Sequence, residues 1–139
     1  MVELTEDEIN SLERACAKLA HEKKVFHVGV LNKYGKLVAG GFKDTVESLI
    51  DSNKSKIIYE LMNNIFQKRK EPDSILGETD YATLRRTNFL LITVPERGDL
   101  LIIIIAESNS DDRKIIKKAE DIFDNVKIKS VEFSYPIYD

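Results

Sequence analysis

At 139 residues, 42% of them apolar, the chain has the length of one domain and can bury roughly two-thirds of its unfolded surface in a single core. Its 21 basic and 24 acidic residues are well mixed and leave a formal charge of -3, which supplies no long-range field to draw in nucleic acid or an anionic membrane. A single cysteine, Cys16, excludes an intramolecular disulfide and a thiolate metal cluster, and the acidic start of the chain does not read as a signal peptide. With no apolar run near the roughly 20 residues that span a bilayer, the expectation is a soluble cytoplasmic protein.

Thr5 followed by Glu8 has the spacing of a capping box, and Leu4 and Ile9 are placed for a hydrophobic staple, so a first helix starts there. Ile9, Leu12, Ala15, Cys16 and Leu19 then form one narrow apolar stripe. Residues 25–31 and 36–42 read as strands around a turn at Asn32, Lys33, Tyr34 and Gly35, a first hairpin that closes on Gly40 and Gly41. Asp44 with Glu47 gives a weaker cap, and Asp51, Ser52 and Asn53 are expected to interrupt the approach to a second helix, firm over residues 56–68. Its apolar positions, Ile57, Ile58, Leu61, Met62, Ile65 and Phe66, spread over about 180° of the circumference at about 100° per residue. That is wider than one sheet face requires, and Pro72 stops the helix.

Residues 77–86 read as a polar strand suited to a sheet edge. A second hairpin pairs residues 89–94 with 100–107 around a turn in which Gly98 is able to take the left-handed conformation. Its second strand is apolar at every position from Leu100 to Ala106 and so requires cover on both faces. Ser110 is placed to cap a third helix over residues 111–125, with Ile115, Ile116, Ala119, Ile122, Phe123 and Val126 on its inner face. Val131, Phe133, Tyr135 and Ile137 alternate in the remaining residues, 127–139, a tail that suits an added edge strand or an arm onto a neighbour. Hairpins separated by a helix imply an α+β domain over residues 1–126, with helices one and three on one face of the sheet and helix two on the other.

Little in this chain carries chemistry. His21 and His27 have no second histidine or cysteine at zinc-ligand spacing, Asp111 and Asp112 beside Ser108 and Ser110 fit helix capping better than a calcium loop, and Gly40-Gly41 lacks the residues of a phosphate loop. No catalytic residue, cofactor or metal is expected, and no nucleophile is paired with a base. Lys68, Arg69, Lys70, Arg85 and Arg86 suit a solvated face more than an anion site, and Tyr59, Tyr81, Tyr135 and Tyr138 are candidate interface anchors. The second helix differs in kind: the half of its apolar arc that the sheet leaves uncovered is a patch that a two-fold contact with a second copy would bury.

Taken together, the hairpin ending in Gly40-Gly41, the long helix through Phe66, and the Ile-rich hairpin followed by a helix resemble the Roadblock / dynein light-chain domain of the profilin-like folds. The resemblance is greatest to archaeal Roadblock-like proteins of unassigned role, which repeat strands of the type seen at residues 35–42 and hairpins of the type at residues 90–107. It implies a five-stranded antiparallel sheet in the order 2-1-5-4-3 and a homodimer formed through the second helix and third strand. Carried onto this chain, the interface would be Ile57, Leu61, Asn64, Ile65 and Lys68 of the helix with Tyr81 and Thr83 of the strand. It also implies a scaffold or regulator of small Ras-like GTPases with no catalytic group of its own. The alternative is a PAS-like sensor that encloses a small molecule between the sheet and the second helix.

Overall fold

In the computed structural model, which describes residues 4–44, 52–69, 72–96 and 99–128, the first helix opens as the sequence predicts. The Glu8 amide donates to Thr5 Oγ1 at 3.1 Å and the Thr5 amide donates to Glu8 Oε1 at 2.9 Å, satisfying two donors that a helix start leaves without partners. Helix α1 (Glu6–Leu19) leads to strands β1 (Val25–Leu31) and β2 (Leu37–Phe42). In the turn between them the Tyr34 and Lys36 amides donate to Asn32 Oδ1, and Gly35 takes a φ of 77°. Helix α2 (Ser52–Arg69), the one-turn α3 (Asp73–Leu76), strands β3 (Ala82–Arg85), β4 (Phe89–Pro95) and β5 (Leu101–Glu107), and helix α4 (Asp112–Phe123) complete the chain order.

The five strands form one antiparallel sheet in the order β2-β1-β5-β4-β3. Central β5 is buried from Leu101 to Ala106, and its alternation divides it between two cores. Ile102, Ile104 and Ala106 pack with Leu12, Cys16 and Leu19 of α1 and Ile115, Ala119 and Phe123 of α4. Leu101, Ile103 and Ile105 pack on the other face with Tyr59, Met62 and Phe66 of α2. The requirement that the Ile-rich strand be covered twice is thus met by α1 and α4 on one side and α2 on the other. Ile128, 3% exposed, joins the first of these cores.

Several expected details differ. Ser52 and Asn53 do not interrupt α2 but form its first residues; the helical stretch expected beyond Asp44 lies outside the described residues. Helix α2 ends at Arg69, before Pro72 as expected, but the Pro72 carbonyl then accepts from the Ile75 and Leu76 amides and starts the unexpected one-turn α3. The edge strand is short: pairing with β4 holds only from Ala82 to Arg85, and residues 78–81 precede it without strand geometry. The cap of α4 is Asp111, not Ser110, since the Lys114 amide donates to Asp111 Oδ1 at 3.2 Å and the Ser110 side chain is buried. In the turn before β5 the described left-handed residue is Asp99, with a φ of 65°, whereas Gly98 lies outside the described residues.

Candidate interaction surface

The rotation of α2 about its own axis decides what this protein presents to a partner. At about 100° per residue, Tyr59, Met62 and Phe66 fall on one side and Ile57, Leu61, Asn64 and Lys68 on the opposite side. The first set is buried against the sheet, while Ile57 is 64% and Leu61 44% exposed, with Asn64 and Lys68 exposed beside them. Ile58 and Ile65 lie between the two sets; Ile65 is half-buried and Ile58 packs on the second core. The sheet therefore covers only part of the apolar arc.

The two strand residues expected at the same interface are placed differently. Leu84 of β3 packs on the α2 side of the sheet, so its neighbour Thr83, paired with Ile92 of the first core, faces the α1 and α4 side. Tyr81, 41% exposed, lines a groove with Arg113, Ile116, Lys117 and Glu120 of α4. Four of the seven expected residues thus share the outward side of α2, Ile65 lies half-buried at its margin, and Tyr81 and Thr83 sit at the far sheet edge on the opposite face. Strand β3 pairs with β4 alone among the described strands, leaving one rim of its backbone donors and acceptors without a sheet partner.

A buried polar group that fixes the rotation of α2 is not evident from sequence patterning. His27, on β1, is fully buried beneath the helix. Its Nδ1 lies 3.0 Å from the Ile103 carbonyl, which only accepts, so Nδ1 carries the proton; Nε2 then accepts from the Tyr59 hydroxyl at 2.8 Å. Burial pulls the imidazole down to about 4, outweighing the Ile103 hydrogen bond, and burial pushes the Tyr59 phenol up to about 12. The ring lies across Gly29, where an added Cβ would stand 2.8 Å from His27 Cε1 and 2.7 Å from Leu37 Cδ1. Tyr59 is therefore no exposed anchor: it is the hydrogen-bonded contact between helix and sheet. The signal for this arrangement is the placement of a histidine two residues before a glycine on one face of an otherwise apolar strand.

The remaining candidates are structural. Cys16 is buried under Gly40, and desolvation, with Glu13 nearby, pushes its thiol up to about 12, far from a reactive thiolate at neutral pH. The Arg85 guanidinium donates to the carbonyls of Ser108 and Ser110, tying the edge strand to the loop before α4 instead of to a basic face. Among the described residues no three histidine, cysteine, aspartate or glutamate side chains are grouped to hold a metal ion, and no helix is long and apolar enough to cross a membrane.

Residues 4–134 match the model of a family described as a family of unknown function, DUF6659. No curated protein matches the chain. Among solved structures, a Roadblock/LC7 domain from Streptomyces avermitilis is similar at a TM-score of 0.68 and 10% identity, over 83% of this chain and 93% of that one. Myxococcus xanthus MglB is similar at a TM-score of 0.68 and 16% identity, over 88% and 91%. An MglB structure described as having a tetrameric arrangement is similar at 0.66 and 8% identity, over 91% and 97%. At these identities the likeness is one of fold, and the fold is that of the Roadblock/LC7 domain.

Proposed function

With the match running over residues 4–134, the chain belongs to the DUF6659 family, and we propose that on its Roadblock/LC7 fold it acts as a non-enzymatic homodimeric regulatory or scaffold module. The observation that carries this reading is the outward side of α2. Two large apolar residues, Ile57 and Leu61, stand a turn apart and more than two-fifths exposed on a helix whose opposite side is already packed. A contiguous apolar strip of this kind is what a self-complementary contact buries, and the row Ile57, Leu61, Asn64 and Lys68, flanked by Ile65, has the i, i+4, i+7 spacing of helix-to-helix contact. The open rim of β3 supplies the second part: antiparallel pairing of two such rims would continue the sheet through both copies, with Tyr81 and Thr83 at the joint. An MglB of the same fold has a tetrameric arrangement, which supports self-association as the mode of action.

The partner that this module holds is a small Ras-like GTPase, the class that the resemblance to Roadblock domains implies. Dimerisation gives such a module two equivalent copies of every surface, the arrangement a scaffold uses to raise effective concentration.

Light scattering at tens of micromolar tests the dimer. The wild type is expected at twice the 15.9 kDa chain mass, and Ile57→Glu or Leu61→Glu at the mass of one chain with unchanged circular dichroism. A wild type that elutes as a single chain overturns the reading.

A further inference from the structure

A second concave surface lies on the other flank of α2. Lys56 and Glu60 face the β1–β2 hairpin, close to Asn63, whose side chain packs against Gly35. Between them and β2 is an open groove of about 700 Å³, within the size range of small-molecule sites. The ring of Tyr59 forms one wall, Phe42 and Leu37 another, and the backbone of Gly40 and Gly41 contributes a side-chain-free stretch. Among the described residues, a Cβ at Gly41 would meet only Leu37 Cδ2, at 3.8 Å. Tyr59 is a rigid wall, since its hydroxyl is held inward by His27 at 2.8 Å.

The charges at the mouth are unequal. Lys36 and Lys56 both line it, Glu60 is the sole acid among its described lining residues, and neither ammonium has an ion-pair partner among the described residues. An extended peptide added along β2 would need the outward amide of Gly40, but that amide already donates to Glu13 Oε1 at 2.8 Å. The groove thus suits a compact ligand that presents a flat apolar body to Tyr59, Phe42 and Gly41 and a negative charge to the two lysines. We infer that it is a binding site for a small aromatic carboxylate. This site is separate from the self-association row, and its occupancy is read independently of oligomeric state.

Titration of the ¹⁵N-labelled full chain with indole-3-acetate, and in parallel with its neutral counterpart indole-3-acetamide, tests the assignment by amide chemical shifts. Saturable shifts at Lys36, Gly40, Gly41 and Tyr59 are expected with the acid, with affinity lower by about tenfold for the amide, and by a similar factor for the acid on Lys36→Gln/Lys56→Gln. Ser55→Trp, which fills the groove from the first turn of α2, is expected to abolish the shifts while leaving the spectrum dispersed. Equal binding of acid and amide, shifts centred on Ile57 and Leu61, or no saturable shift with the wild type would each overturn the inference.

Discussion

Gly40→Ala is expected to lower the unfolding free energy in urea by about 3–4 kcal/mol, the sum of a left-handed backbone penalty and a steric clash that cannot relax. Gly40 has a φ of 77°, which L side chains rarely adopt. More important, its Cβ would stand 2.1 Å from the Val28 carbonyl oxygen, 2.8 Å from Cys16 Sγ and 2.9 Å from the Gly29 Cα. Two of those three atoms belong to the backbone of β1, and Cys16 is fixed in α1, so relief requires moving the helix or the strand pair. Gly77→Ala separates the two effects: Gly77 has a φ of 86° with nothing within 4 Å of the added Cβ, so strain alone acts, at about 1–2 kcal/mol. Equal losses at the two positions would show that the close approach of α1 to β2 is not what Gly40 serves.

Lowering the pH from 7 to 4 is expected to remove about 3 kcal/mol of stability through His27 alone. Its folded-state value is about 4 against 6.5 for the free side chain, so between those values the unfolded chain binds the extra proton and the folded one does not. Stability therefore rises with pH across the window: the neutral, buried imidazole contributes in full above 6.5, and the contribution is lost as pH falls toward 4. The protonated ring would place a charge between β1 and α2, where the groups facing it are the Ile103 carbonyl, the Tyr59 hydroxyl and the Phe42 ring, with no carboxylate among them. His27→Gln keeps a donor toward Ile103 and an acceptor toward Tyr59 but does not titrate, so its urea-derived stability should vary less with pH than that of the wild type. Parallel profiles for the two proteins between pH 7 and 4 would rule out His27 as the source.

Much of the architecture is legible in the sequence because the relevant signals are local. The Thr5–Glu8 box, the Asn32–Gly35 turn and the uniformly apolar run through Ile102, Ile103, Ile104 and Ile105 each set backbone geometry within a few residues, and each is realised in the structure. Where local signals compete, the reading slips. Asp111 displaces Ser110 as the cap because both residue types suit that position, and only the packing of Ser110 decides between them. Pro72 follows the end of α2 as its ring requires, yet the same residue suits the first turn of a helix, and the one-turn α3 that it opens is not among the expected elements. At residues 78–81 polar composition is compatible with an edge strand, yet the pairing that would make one begins only at Ala82.

The candidate interface follows the same division. Periodicity alone determined that α2 carries more apolar surface than one sheet face can cover, and that the central strand needs cover on both sides; these follow from residue spacing and hold for any packing. Which half of the arc remains outside was decided by the tertiary structure. Tyr59, absent from the apolar pattern, turns inward because a buried histidine on a distant strand needs a hydrogen-bond donor, and that histidine fits only because Gly29 leaves room for its ring. The partners are 32 residues apart in the chain. No window of sequence contains both, and their contact fixes the rotation that leaves Ile57 and Leu61 exposed.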